Sequence, residues 1–312
     1  MGKIAFLFPG QGSQFVGMGR VIAERDERAA RLFAQADDVL GYALSRLCFE
    51  GPEEELRLTA NTQPAILTTS MAIYTVFADA GIEPDYVAGH SLGEYSALTA
   101  AGALDFADAV ATVHRRGLFM EEAVPAGQGA MSAVMGLERE ALDAVCREVT
   151  REGHVVVAAN YNCPGQIVIS GHRDAVEEAG EKAKAAGARR VIPLAVSGPF
   201  HSPLMQPAAE RLKDVLETIT IRDARVPVVA NVSASPIQDA DEIRRSLVEQ
   251  VASPVLWEDS VHWMLNQGVD TFVEIGPGTV LTGLVRKVER KVTAVSVQDV
   301  ETLQAALDML QK

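Results

Sequence analysis

Short apolar runs alternate along this chain with longer stretches in which apolar residues recur every three or four positions. That rhythm predicts an α/β fold, a mainly parallel sheet wrapped by helices. Lys3 to Phe8 reads as a first buried strand, closed by Pro9 and Gly10. Helical spacing follows over Met18 to Leu40 and again over Thr62 to Ala80, with Pro64 in the first turn and Gly81 as the stop. Asp85 to Gly89 predicts a second strand, and the small residues of Leu92 to Ala101 a helix directly after it. Asp105 then stands as the cap of a helix running to about Glu122.

Beyond the loop Val124-Pro-Ala-Gly-Gln-Gly129 the rhythm changes to β-α-β-β-α-β. The elements are Ala130 to Met135, Glu138 to Arg151, Val155 to Asn160, Gln166 to Ser170, Arg173 to Ala186 and Arg190 to Leu194. This is the order of a ferredoxin-like split motif. Helix and strand alternation resumes after Val196, with strands near Val226 to Ala230, Thr271 to Ile275 and Thr293 to Val297. The expected organisation is therefore a large α/β domain, residues 1–128 and 195–312, carrying an inserted small subdomain, residues 129–194. Neither an internal repeat nor a low-complexity tract interrupts it.

Length and charge narrow the function. At 312 residues, 48% of them apolar, the chain can build a large core, and 28 bases against 42 acids leave a net charge of −14. That balance argues against nucleic acid and anionic membrane as partners. Cys48, Cys146 and Cys163 are odd in number and scattered, which fits a reducing cytoplasm rather than a disulfide framework or a zinc site. No HExxH or comparable spacing supports a metal, and no apolar run has the length of a signal peptide or a membrane span.

The chemistry centres on Gly89-His-Ser-Leu-Gly93, a G-x-S-x-G placed where a strand ends and a helix begins. A nucleophile elbow needs that context, because a turn this tight leaves no room for flanking side chains and lifts the serine hydroxyl above the sheet edge. A glycine-rich turn whose serine merely caps the helix is the competing reading. A catalytic Ser91 needs a base, and the chain has six histidines. His90 adjoins the serine but points away from it on a tight turn; His114 and His262 sit within helices, and His154 and His172 at turns of the insertion. His201 stands in the rigid loop Ser197-Gly-Pro-Phe-His-Ser-Pro203 after a strand. Alone it reads as incidental; given a nucleophilic Ser91 it is the leading base.

Two further segments bear on the site. Phe8-Pro-Gly-Gln-Gly-Ser-Gln14 follows the first strand, where an α/β sheet places site-forming loops, yet it matches neither a P-loop nor G-x-G-x-x-G. A backbone amide of this loop could complete an oxyanion hole with the amide after Ser91. On the helix after Asp105, Phe106, Ala109, Val110, Val113, Gly117 and Met120 share one stripe. At roughly 100° per residue, Arg116 borders the stripe and Arg115 lies nearly opposite it. Arg115 should be solvated, whereas Arg116 needs a partner, either an internal carboxylate or a substrate carboxylate.

Taken together, these segments resemble the malonyl-CoA:acyl carrier protein transacylase family of fatty acid synthesis. The resemblance spans nearly the whole chain and rests on Phe8 through Gln14, Gly89-His-Ser-Leu-Gly-Glu-Tyr-Ser96, Arg116 within Arg115-Arg-Gly117, Asn160 through Gly171, Gly198-Pro-Phe-His201 and Glu274-Ile-Gly-Pro-Gly278. It implies a hydrolase-like α/β domain with a ferredoxin-like insertion, Ser91 as nucleophile and His201 as its base. It also implies an oxyanion hole from the amides of Gln11 and Leu92, and Arg116 as clamp for the malonyl carboxylate. The histidine would be oriented by a backbone carbonyl, mapping to Gln250, and Asn160 and Gln63 would stand near the site. Phe200 resembles the malonyl-type version of this loop, whose bulk excludes a 2-methyl group. The implied reaction is ping-pong transfer between malonyl-CoA and a holo acyl carrier protein. No cofactor is implied, since phosphopantetheine is carried by the partner. A serine hydrolase or thioesterase, a polyketide-type acyltransferase and a non-catalytic carrier-binding module are the rivals. Carrier proteins are typically acidic, so a chain of −14 needs a local basic patch to dock one. Arg286, Lys287, Arg290 and Lys291 form one candidate; Lys182, Lys184, Arg189 and Arg190 form the other.

Overall fold

Among residues 2–311, which the computed structural model describes, ten strands form two separate sheets. The first sheet contains β1 (Lys3–Phe8), β2 (Tyr86–Gly89), β7 (Val228–Val229), β8 (Pro236–Ile237), β9 (Val269–Ile275) and β10 (Thr293–Val297). Its order is β10-β9-β1-β2-β7-β8, parallel throughout except for β8, which runs antiparallel to β7. The second sheet contains β3 (Gly129–Met135), β4 (Val156–Cys163), β5 (Gln166–His172) and β6 (Arg190–Pro193), all antiparallel, in the order β4-β5-β3-β6.

Strand β1 is buried on both faces, as a central parallel strand must be. Phe6 and Phe8 pack into a core shared with the helix Thr59–Phe77, with the Phe6 and Phe77 rings edge to face at 5.4 Å. Ala5 and Leu7 pack on the opposite face with Trp257, Val261, Leu281 and Val285. The four-stranded sheet has a third core of its own, built from Val134, Leu142, Val149, Ile167, Ile169 and Val176.

Several elements differ from the sequence expectation. The single helix expected over Met18 to Leu40 is two, Arg20–Arg25 and Glu27–Leu40. Asp26 leaves the helical region (φ −131°, ψ 118°), and its carboxylate caps the second helix through the N–H groups of Arg28 and Ala29. The next long helix begins at Thr59 rather than Thr62, so Pro64 lies inside it and not in its first turn. A proline there cannot donate to the carbonyl four residues back. That carbonyl, Ala60 O, instead accepts from His114 Nδ1 at 2.8 Å, which gives His114 a structural task. Asp105 is the N-cap of Phe106–Glu122 by position, but its side chain makes no cap bond; it pairs with Arg222 at 2.9 Å. The short helices Leu44–Glu50 and Glu53–Leu56 and the edge strand β8 carry too little periodicity to have been expected. Strand β4 runs on to Cys163, and Leu194 falls just outside β6.

Two glycines permit the turn between β2 and the helix Gly93–Ala100. A Cβ on Gly89 would lie 1.9 Å from the backbone of Gly93, and one on Gly93 would lie 2.0 Å from the carbonyl oxygen of Phe8. Backbone cannot yield as a flexible side chain can, so Gly93→Ala should cost about 3 kcal/mol or more. Gly283 sits exposed in the helix Val280–Val288 with open space around its virtual Cβ, and Gly283→Ala should stabilise by about 0.5–1 kcal/mol. Thermal unfolding of the two variants checks the contrast; a tolerated Gly93→Ala would contradict the tight-turn account.

Candidate active site

Ser91 stands at the carboxyl end of β2 with φ 51°, a left-handed conformation that costs a non-glycine residue about 1–3 kcal/mol. Both sides of its peptide are held. Its N–H donates to Asn231 Oδ1 at 2.8 Å, and its carbonyl accepts from Gln250 Nε2 at 2.9 Å. The loop after residue 196 brings in His201, itself at φ 55°, so that His201 Nε2 lies 2.7 Å from Ser91 Oγ. On the far side of the ring, Nδ1 lies 2.9 Å from the backbone carbonyl of Gln250. A carbonyl only accepts, so the proton sits on Nδ1 and the Nε2 lone pair faces the serine hydroxyl. Burial, reinforced by the charge of Arg116, pulls the His201 pKa down to about 3. The imidazole is thus neutral at any ordinary pH.

Arg116 is 1% exposed, more deeply buried than a stripe border implies, while Arg115 is solvated as expected. Close helix packing places it: a Cβ on Gly117 would lie 2.7–2.9 Å from the backbone of Ala60 and Thr59, so the helices Phe106–Glu122 and Thr59–Phe77 nearly touch there. Across that contact Arg116 Nη1 donates to Gln63 Oε1 at 2.8 Å. Nη2 donates to Gln250 Oε1 at 3.0 Å and to Ser91 Oγ at 3.2 Å. All three acceptors are neutral, and Nε has no partner among the described residues. Burial lowers the pKa of the guanidinium from its usual value.

Gln11 lies in the loop after β1, with its side chain donating to Thr59 Oγ1 at 3.2 Å. Among the described residues, the main-chain N–H groups of Gln11 and Leu92 make no hydrogen bond. Asn160 is on β4, at an irregularity in its pairing with β5, and its buried Oδ1 has no partner among the described residues. It does not join the hydrogen-bonded group around Ser91. It lines instead a neighbouring cleft of about 630 Å³, formed by Gln11 and His90 on one side and by Asn160, Asn162 and Val168 of the second sheet, with Leu194 just past it, on the other. His90 turns away from the serine and meets Asn162 Oδ1 at 2.8 Å, packed against Trp257.

The acyl transferase domain family matches residues 5–307. The chain belongs to that family. It is 57% identical, over 100% of its own length and 98% of the relative's, to the malonyl CoA-acyl carrier protein transacylase of Bacillus subtilis. An acyl carrier protein S-malonyltransferase crystal structure from Vibrio cholerae has 46% identity and a TM-score of 0.95, covering 97% of this chain and 99% of that one. A malonyl-transacylase solved with its type II polyketide acyl carrier protein has 48% identity and a TM-score of 0.96, covering 98% and 99%.

Two residues of this acyltransferase site escaped sequence reasoning. Asn231 directly follows the apolar run of β7, and Glu94 directly follows the G-x-S-x-G; both are fully buried. A polar residue at the carboxyl end of a parallel strand was the available signal for Asn231. With His201 neutral, reaction of Ser91 with an uncharged fluorophosphonate should be flat from about pH 5 to 8 and fall about a hundredfold or more in His201→Ala. Labelling rates measured by mass spectrometry check this, and an acid limb centred near 6.5 would contradict a buried neutral base.

Proposed function

We propose that the chain transfers a malonyl group from malonyl-CoA to the phosphopantetheine thiol of an acyl carrier protein, through an ester on Ser91, in supply of fatty acid synthesis. The observation that carries this reading is Arg116. A buried cation with only neutral acceptors is costly, and it sits 3.2 Å from the serine hydroxyl. A carboxylate on the acyl group supplies a counter-charge in direct contact at the place where the ester forms. The named activities of the relatives support the same substrate and acceptor.

In the acylation step Ser91 Oγ attacks the thioester carbonyl and its proton passes to His201 Nε2. The Gln11 and Leu92 amides receive the developing oxyanion, and the Gln250 carbonyl holds the imidazolium through Nδ1. Collapse breaks the C–S bond, and CoA leaves with the proton from His201. The carrier thiol then gives its proton to His201 and attacks the ester, and Ser91 departs reprotonated. Gln63 orients the guanidinium, Asn160 offers its free acceptor to the incoming thioester arm along the cleft, and Phe200, buried before the histidine, limits bulk at the 2-position. The residues named require no cofactor or metal.

The hydrolase-like description and the division into 1–128 with 195–312 and an insertion at 129–194 belong to this reading. Within the insertion the strand order is second, third, first, fourth, as a ferredoxin-like unit has it, and its core is its own. For the carrier, the patch at Arg286, Lys287, Arg290 and Lys291 is favoured. Lys182 and Lys184 are paired with Glu148 and Glu181, whereas Lys287 reaches across to Gln166 at the cleft, beside Leu281 and Leu284.

Incubation with malonyl-CoA alone should give stoichiometric malonyl on Ser91 that persists until holo carrier is added; continuous CoA release without acceptor would identify a hydrolase instead. Arg116→Ala should lower kcat/KM for malonyl-CoA about a hundredfold while changing acetyl-CoA use less than about tenfold. An unchanged malonyl preference refutes the clamp. Reversing Lys287 and Arg290 to Glu should raise KM for the carrier about tenfold and leave malonyl loading intact, and equal effects on both steps count against that docking face.

A further inference from the structure

Among the described residues, the side chain of Gln250 is the one group hydrogen-bonded to both the peptide of Ser91 and the guanidinium of Arg116. Its Nε2 is ringed by three acceptors, Ser91 O at 2.9 Å, Asn231 Oδ1 at 3.1 Å and Glu94 Oε2 at 3.1 Å. Its Oε1 accepts from Arg116. An amide has two nearly isosteric ends, and what decides which end faces Arg116 is the acceptor set on the other side. Of the three, Ser91 O is a backbone atom and Asn231 Oδ1 already accepts from Ser91 N. Glu94 supplies the third, from a carboxyl group that is 0% exposed and held in place by Asn231 N at 2.9 Å. Were the amide reversed, its NH2 would face the guanidinium, donor against donor, and its oxygen would face three acceptors.

We propose that Glu94 is a positioning residue: its buried carboxyl group orients the Gln250 amide, which in turn aims Arg116 at the acyl carboxylate while holding the peptide of the strained Ser91. The inference rests on the reading of Arg116 as a carboxylate clamp. The carboxyl group itself stands one amide away from the guanidinium, so it steers the cation without occupying the face that a substrate needs. Burial pushes its pKa up to about 7, against the Asn231 and Gln250 hydrogen bonds and the charge of Arg116, which pull it down.

The test compares kcat/KM for malonyl-CoA with that for acetyl-CoA, a ratio that the fraction of folded enzyme does not move. Glu94→Ala should lower the ratio about tenfold, and Glu94→Gln, which keeps an acceptor bound to Asn231 N, by less than about threefold. Glu94→Asp, the milder change, withdraws the acceptor by one methylene and should shift the ratio in the same direction as Ala, so the test survives if the alanine variant does not fold. In an Arg116→Ala background the alanine change at 94 should have no further effect on the ratio. A ratio unchanged in both Ala and Asp, a Gln variant as impaired as Ala, or an undiminished effect without Arg116 overturns the proposal. If the unaltered chain shows no malonyl preference, or Arg116→Ala leaves the preference intact, the clamp itself has failed; a preference sensitive to Arg116 but not to Glu94 removes this inference alone.

Discussion

An arginine taken out of water, with no acid among the described residues in direct contact, is the constraint around which this site is built. Desolvating a guanidinium costs several kcal/mol, and three neutral acceptors recover only part of that. The fold accepts the cost because the surrounding elements leave the cation nowhere else to go. Gly117 lets two helices meet backbone to backbone, Gln63 faces Arg116 across that contact, and Gln250 closes the other side. The buried Glu94 carboxyl lies one amide away, but among the described residues no acid touches the guanidinium, and under the proposed function the acyl carboxylate makes that contact.

The same cation bears on the base. Its field, added to burial, keeps His201 neutral, the form that the proposed function requires of its base. A carboxylate behind His201 would raise its pKa by favouring the charged imidazolium. A backbone carbonyl orients the ring just as firmly through Nδ1 and adds no charge. The uncharged third member and the unpaired arginine are therefore consistent parts of one electrostatic design.

Much of this was legible in the chain itself. The alternation of strands and helices gave the α/β class and the six-element order of residues 129–194, because a buried parallel strand and an amphipathic helix leave different periods. Helical geometry alone separated Arg116 from Arg115. Ser91 could be found from its glycines, since a Cβ at Gly89 or Gly93 would fall within 2.5 Å of neighbouring backbone. His201 was identifiable only after Ser91, because a loop histidine acquires meaning from a partner 110 residues away. Glu94 was not legible, since nothing local distinguishes a buried carboxyl from a solvated one until long-range pairing closes around it; Asn231 had only its place at the end of a parallel strand to mark it. Asp26 and Pro64 show the converse failure, in which a helical period continues through a break and a start that capping and a distant histidine decide.

The order in which the chain is made bears on these parts. The hairpin of β4 and β5 pairs neighbours in sequence, whereas β1 finds one of its two partners, β9, only across more than 260 residues, Lys3 against Val269. Ser91 is synthesised early, His201 follows much later, and the carbonyl that fixes its tautomer belongs to residue 250. On the ribosome, a chain with its elbow already emerged is consequently a bare alcohol, without base, clamp alignment or closed sheet. The serine, its histidine neighbour and the carbonyl that orients the ring can therefore come together only after residue 250 has been made.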